Sequence, residues 1–229
     1  MCGRYSFVAS REKLQRNFAA VRVQGVMQAC YNIAPTDAAY VITNTHPTEL
    51  QRFGWGLVPS WATDPRSGTN LINARAEGIS SKPSFRMPVR TKRCIVPADS
   101  FYEWQAGIAH GSKQPYRIVM RDASLLAFAA IWDEWIRPDG RAAHTFAIIT
   151  TEANPDVAPL HDRMPVILHH DTDRAAWLAT DTPLANVLAL LRPLPSGLLR
   201  SYPVSPTLNR PDIDHAELHT EITLPPALF

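Results

Sequence analysis

Apolar residues in this chain fall into short alternating or continuous runs, and helical stripes are few. Segments 39–43 (AYVIT) and 48–55 (TELQRFGW) read as paired strands around a turn at 44–47. Further β-rich runs follow at 93–104 (RCIVPADSFYEW), 115–120 (PYRIVM), 124–135 (SLLAFAAIWDEW) and 145–153 (TFAIITTEA). Most of these hold apolar stretches long enough for a buried strand. Pro138-Asp139-Gly140 predicts a hairpin turn between the last two, and 164–170 (MPVILHH) predicts another strand. Helical spacing is local. Ser10 is a cap for a first helix that turns Leu14 and Phe18 inward. Asn154 and Pro155 open a short helix ending near His161. Helical patterns cover 172–180 and 183–192. There is no regular βαβ alternation and no glycine-rich phosphate loop. The expected fold is therefore α+β, one domain over 2–229, built on mainly antiparallel sheet rather than a Rossmann-type layer.

Composition narrows the class. The chain has 229 residues, 45% hydrophobic and 19% charged, so a substantial core is expected and wholesale disorder is not. No apolar run approaches the ~20 residues of a membrane span. The N-terminal segment MCGRYSFVASREK lacks a signal-peptide core. These features predict a cytoplasmic protein with no membrane partner, and a monomer is the simplest expectation. Cys2, Cys30 and Cys94 are too sparse for a disulfide framework and lack metal-ligand spacing. No metal and no cofactor are expected. Cys94, inside RCIVPA, reads as core filling.

Net charge is +2, too small to argue nucleic-acid binding, but 19 of the 23 basic residues are Arg. Arginine suits bidentate phosphate contacts, although a GC-rich genome also inflates it. Lys82, Arg86, Arg90, Lys92 and Arg93 share one window without an acid between them, a candidate backbone-tracking patch.

Candidate chemistry centres on Cys2. It follows the initiator methionine, and a small residue at position 2 permits methionine removal. Excision would expose an α-amine beside a thiol, with ordinary pKa values of about 7.7–8.0 and about 8.5. Such a pair attacks an aldehyde twice, the amine giving a Schiff base and the thiol closing a thiazolidine. The plain alternative is an incidental cysteine on a frayed terminus. Glu103 lies between Tyr102 and Trp104. Buried, it would have a raised pKa and serve as a proton shuttle; on a solvent face it would be an ordinary carboxylate. His161, before Asp162-Arg163, is an acid–base candidate or a structural imidazole. Asn73 in INARAE either orients a substrate oxygen or caps a following helix. Arg4, Arg75 and Arg163 are candidate phosphate contacts or plain surface arginines. Trp61 precedes an exposed-looking loop and could stack on a base, whereas Trp55 reads as core. His169 and His170 look like an exposed strand end.

MCGRY, YNIAPT, WGLVPSW, LINARAE, RCIVPADSFYEW and HDRMPVIL occur in this order along the chain. Together they resemble the SRAP family, the SOS-response-associated peptidases, also called abasic-site processing proteins. The resemblance runs from Cys2 to the PVSPTLN segment at 203–209. It implies a curved, barrel-like sheet core with peripheral helices and a basic DNA groove. It also implies covalent attachment of Cys2 to the ring-opened aldehyde of an abasic site in single-stranded DNA. In that reading Asn73 hydrogen-bonds in the active site, Glu103 shuttles protons during formation and reversal, and His161 assists ring opening. Arg4 and Arg75 match phosphate contacts, and Trp61 and Arg163 complete the candidate DNA-contacting set. Ala62 stands where some members have a second Trp, which weakens the stacking expectation. Two rival readings remain: a thiol peptidase using Cys2 and His161, and a noncovalent single-strand binder.

Overall fold

The computed structural model describes residues 2–18, 21–106 and 113–224. Among these, the first elements are β1 (Tyr5–Phe7), α1 (Arg11–Asn17), β2 (Cys30–Ile33), β3 (Ala38–Thr43), β4 (His46–Trp55) and β5 (Asn73–Arg75). The middle of the chain forms α2 (Pro88–Thr91), β6 (Arg93–Ala98), β7 (Ser100–Ala106), β8 (Lys113–Met120), β9 (Leu126–Ile136) and β10 (Ala142–Glu152). β11 (Arg163–Pro165), α3 (Asp171–Leu178), α4 (Leu184–Ala189) and β12 (Leu199–Pro203) complete it.

The expected α+β class holds. Strands β10, β4, β3, β6 and β9 pair in that order, and β9 returns to β10, closing a five-strand barrel. The β4–β10 contact is parallel and the other pairings of the ring are antiparallel. β10 is long enough to serve two neighbourhoods. Its first half lies between β9 and β4, and its second half takes β5 on one side and β11 on the other. A second sheet, ordered β12-β8-β7-β1-β2, packs on the barrel. Tyr5 of β1 joins them: its ring meets Trp55 of β4 at 5.1 Å and Phe128 of β9 at 6.0 Å, both edge-on. Such pairs each add about 0.5–1.5 kcal/mol beyond the area they bury.

Several local expectations hold for visible reasons. Ser10 Oγ accepts the amide of Lys13 and caps α1, and Leu14 and Phe18 are buried. The 137–141 turn closes the β9–β10 hairpin, with Gly140 at φ +82°. Others differ. Residues 154–160 form consecutive turns rather than a helix. Asn154 still caps them, its Oδ1 accepting from Val157 N, but Pro159 has no amide to continue a ladder. The predicted strand 164–170 pairs with β10 over Arg163–Pro165, and Val166 N still donates to Ile149 O of β10. It then crosses to β9, exchanging bonds through Val166 and Leu168. No helix among the described residues is long and apolar enough to cross a membrane.

Candidate functional site

The candidate site lies where the chain enters the second sheet. β1 pairs antiparallel with β7, Tyr5 opposite Phe101 and Ser6 opposite Ser100. The amide of Tyr102 donates to Arg4 O, which extends that register toward the N-terminus. Gly3 therefore comes opposite Glu103, with Cys2 one residue further on. Side chains alternate across a strand. Phe101 faces the barrel core and Tyr102 faces a separate cluster with Tyr202, Leu208 and Leu218, so Glu103 shares the barrel-side face.

Glu103 is 2% exposed, which removes the solvent-face alternative. Burial, the largest cause, pushes its carboxyl up to about 7. A group so placed is protonated and ionised in comparable amounts at neutral pH, as a proton shuttle requires.

Cys2 is fully buried, not a frayed terminus. Its Sγ lies 3.9 Å from Arg4 O. Burial raises its pKa far above the usual thiol range, and the negative charge of Glu103 raises it further. The group is a thiol, not a thiolate, at neutral pH. That disfavours a thiolate–imidazolium pair of the peptidase kind.

Asn73 does not cap a helix. It opens β5, which runs parallel to β10 with Asn73 opposite Ile148. The 3-10 turn that follows at Ala76–Gly78 has no side-chain cap. Asn73 Nδ2 instead donates to the carbonyl of Cys2 at 2.8 Å. Its Oδ1 is buried and accepts no hydrogen bond among the described residues, leaving an acceptor for an incoming hydroxyl.

His161 ends the 154–160 turns, its amide donating to Val157 O. Arg163 N donates to Nδ1 at 2.9 Å, and Asp162 Oδ1 lies 2.7 Å from the same nitrogen. One nitrogen cannot both accept and donate. Burial lowers the His161 pKa, which favours the neutral ring with its proton on Nε2 and the Arg163 bond as the real one. The Asp162 charge reaches Glu103 and raises its pKa. Hydrogen bonding and mutual electrostatics thus link Asn73, Cys2, Glu103 and the His161 turn into one cluster.

The basic and aromatic candidates divide. Arg75 is exposed. Trp61 is 64% exposed and Trp55 is buried, as expected. Arg4 is turned into the protein, donating to Asn32 Oδ1 at 2.7 Å and Leu208 O at 2.9 Å. The Arg163 fork is filled by Glu77 at 2.6 and 3.0 Å, with Thr150 O at 2.7 Å. The 82–93 patch also splits. Lys82, Arg86 and Arg90 are exposed, but Lys92 pairs with Asp133 at 2.6 Å. Arg93 is buried and donates to the carbonyls of Trp177, Val89, Arg90 and Ala179. Arg93 is thus a core strut that knits α2 and α3 to the barrel.

Three supporting residues escaped the sequence reading. Asp133, buried on β9, accepts from Ser60 N at 2.8 Å as well as from Lys92. Trp135 Nε1 donates to Ala62 O at 2.7 Å. Together they pin both flanks of the exposed Trp61. An Asp inside the apolar run AAIWDEW was the available signal. Asn32 accepts from Arg4 and donates to Arg210 O and Ile213 O, tying the C-terminal segment to β2. No group of His, Cys, Asp or Glu among the described residues is arranged to hold a metal ion.

The model of the SOS response associated peptidase (SRAP) family matches residues 1–211. The chain belongs to the SRAP family. A Bacillus subtilis relative named abasic site processing protein YoaM is 39% identical over 222 residues, covering 95% of this chain and 97% of its own. The mouse abasic site processing protein HMCES is 30% identical over 258 residues, covering 91% of this chain and 72% of its own. A crystal structure of a protein from Bacteroides thetaiotaomicron superposes with a TM-score of 0.80 at 29% identity, covering 90% of this chain and 93% of that one. The barrel and second sheet are thus the SRAP architecture, and the Cys2 cluster sits at their junction.

Proposed function

We propose that this SRAP protein processes abasic sites in single-stranded DNA by covalent attachment through Cys2. The observation that carries the reading is the pairing of a buried Cys2, held at its carbonyl by Asn73, with a carboxyl whose pKa burial brings to about 7. The names of the relatives supply the substrate class.

Removal of Met1 turns the Cys2 nitrogen from an amide into an amine. As the hemiacetal C1′–O bond breaks, the C1′ hydroxyl proton passes through water to the ring oxygen, which the neutral His161 ring holds by a hydrogen bond from Nε2–H, and the aldehyde forms. The amine adds to C1′ to form a carbinolamine. Protonated Glu103 gives its proton to the departing hydroxyl, which leaves as water, and the imine forms. The thiol sulfur then adds to the imine carbon while its proton passes to nitrogen, closing the thiazolidine. Reversal runs through the same transfers. The buried thiol needs no thiolate at rest, because the imine accepts the sulfur as the proton moves. β-Elimination from the imine would give lyase activity, and autoremoval of Met1 would be a peptidase activity of the same residue. Arg75 and Trp61, both exposed, serve as the contacts for the strand's phosphate and base. The protein acts as a monomer in the cytoplasm, on DNA of the nucleoid.

A denaturing gel with abasic single-stranded DNA tests the reading. A heat-stable shifted band is expected with the single strand and not with an abasic site deep in intact duplex. Proteolysis of added substrates without a shifted band would favour the peptidase. Neither outcome would leave a noncovalent strand binder.

A further inference from the structure

The second sheet has a face that the Cys2 chemistry does not use. Tyr102, Arg117 and Tyr202 sit opposite one another across β7, β8 and β12, a row on the side away from Glu103. Beside this row is a cavity of about 280 Å³ whose lining includes Lys13, Asp99, Arg117, Arg121, Arg200 and Tyr202. Four basic side chains there face one carboxylate. Lys13 pairs with that carboxylate, Asp99, at 3.1 Å, and Arg200 pairs with Glu221 at 2.6 Å. Arg117 is held by neutral acceptors: its Nε donates to Ser100 Oγ at 2.9 Å and its Nη1 to Tyr202 OH at 2.5 Å. Among the described residues neither Arg117 nor Arg121 has a carboxylate partner.

A half-buried guanidinium that lines a cavity, bonded to two neutral oxygens and to no carboxylate among the described residues, is suited to receive an anion. The neighbourhood feels the excess. His219 is pushed down to about 3, first by burial and then by the positive charges of Arg117 and Lys13. The cavity is smaller than the ~300–1,000 Å³ of sites for drug-sized ligands, which suits a phosphate with its sugar. Asp99 lies in the bend between β6 and β7, four residues before Glu103 on β7, roughly 13 Å along an extended chain.

We propose that this cavity is a phosphate-ester site separate from the Cys2 cluster. The Arg117 fork grips the phosphate, and Lys13, Arg121 and Arg200 supply the surrounding field. The phosphate comes either from a nucleic-acid strand or from a mononucleotide, and the two sources are separable by competition.

The test uses the full chain with an intact, non-abasic single-stranded oligonucleotide, so covalent attachment plays no part. Affinity and its salt dependence are measured for wild type, Arg117→Gln and the exposed-site variant Arg121→Glu. Each variant is expected to bind about tenfold more weakly, with the salt slope reduced by about one. If a deoxynucleoside monophosphate binds wild type and is lost in both variants, the source is a mononucleotide. If the monophosphate does not bind but oligonucleotide affinity falls in both variants, the source is a strand. Wild-type affinity and salt slope in both variants, for both ligands, would overturn the site. So would a loss confined to Arg117→Gln that comes with a lower melting temperature.

Discussion

Cys2 and Cys94 are both fully buried, yet their surroundings differ in kind. Cys94 lies in the barrel wall on β6, between Thr43 of β3 and Ala130 of β9. Its carbonyl accepts Trp177 Nε1 at 2.9 Å. Burial raises its thiol pKa well above the ordinary value. Cys2 is raised by burial too, but its second cause is a titratable neighbour, Glu103. The comparison teaches that burial disarms both thiols as free nucleophiles. What separates them is the acid–base group and the Asn73 clamp at one and plain strand packing at the other.

The largest expected difference comes from deleting each sulfur. Cys2→Ala should abolish the heat-stable DNA adduct, because the imine then has no internal trap. Cys94→Ala should keep adduct yield and instead cost stability, on the order of 1–2 kcal/mol for a small cavity. A denaturing gel and thermal unfolding read the two effects. Full adduct yield from Cys2→Ala would erase the distinction.

Next in size is the proton shuttle. Glu103→Gln keeps shape but loses the proton, so adduct formation and release should both slow by about 10²–10⁴-fold. His161→Ala should slow mainly formation. The pH dependence carries the sign. Formation needs Glu103 protonated, with its carboxyl at about 7, and the amine free, so wild-type formation should level off between about 7 and the amine's value and fall as pH rises beyond it. The free-base requirement of an α-amine near about 7.7–8.0 gives the acidic limb. Glu103→Gln should lose the alkaline limb. Stability follows the same raised pKa. The folded state holds the proton more tightly than the unfolded chain, so wild type loses stability as pH climbs from the ordinary carboxyl range through about 7. The Gln variant should escape that loss, which melting curves at pH 5 and pH 8 would check.

These predictions draw on what the sequence could and could not carry. The runs that became β3, β4, β9 and β10 were legible because short alternating patterns and continuous apolar stretches are both local signals. So was the Ser10 cap. The Asn73 environment was not: local cues favour a helix cap, but its amide is engaged by a carbonyl 71 residues away. Arg93 misled for a similar reason. A cluster of basic letters cannot show that one guanidinium satisfies four carbonyls inside the core. The partners of Arg4 and Arg163 were not legible, since Asn32 and Glu77 meet them only in the fold.

Smaller effects sharpen the comparison further. Asn73→Ala leaves the Cys2 carbonyl without its donor, at about 1–3 kcal/mol, so adduct formation should drop roughly ten- to hundredfold. The check is single-turnover crosslinking at fixed DNA. Trp61→Ala and Arg75→Ala, at exposed positions, should act on noncovalent binding alone. Loss of stacking is worth about 1–3 kcal/mol per base, and loss of one phosphate contact lowers the salt slope by about one. Arg163→Ala should instead show up in melting temperature, because its fork is already filled by Glu77.

The most direct measurement is peptide mass spectrometry of the crosslinked protein. The account predicts that the DNA remnant maps to the N-terminal peptide, that Met1 is absent, and that both the α-amine and the thiol of Cys2 resist alkylation while Cys30 and Cys94 do not after denaturation. A remnant on a lysine or on Cys94, or on a peptide that retains Met1, would contradict it.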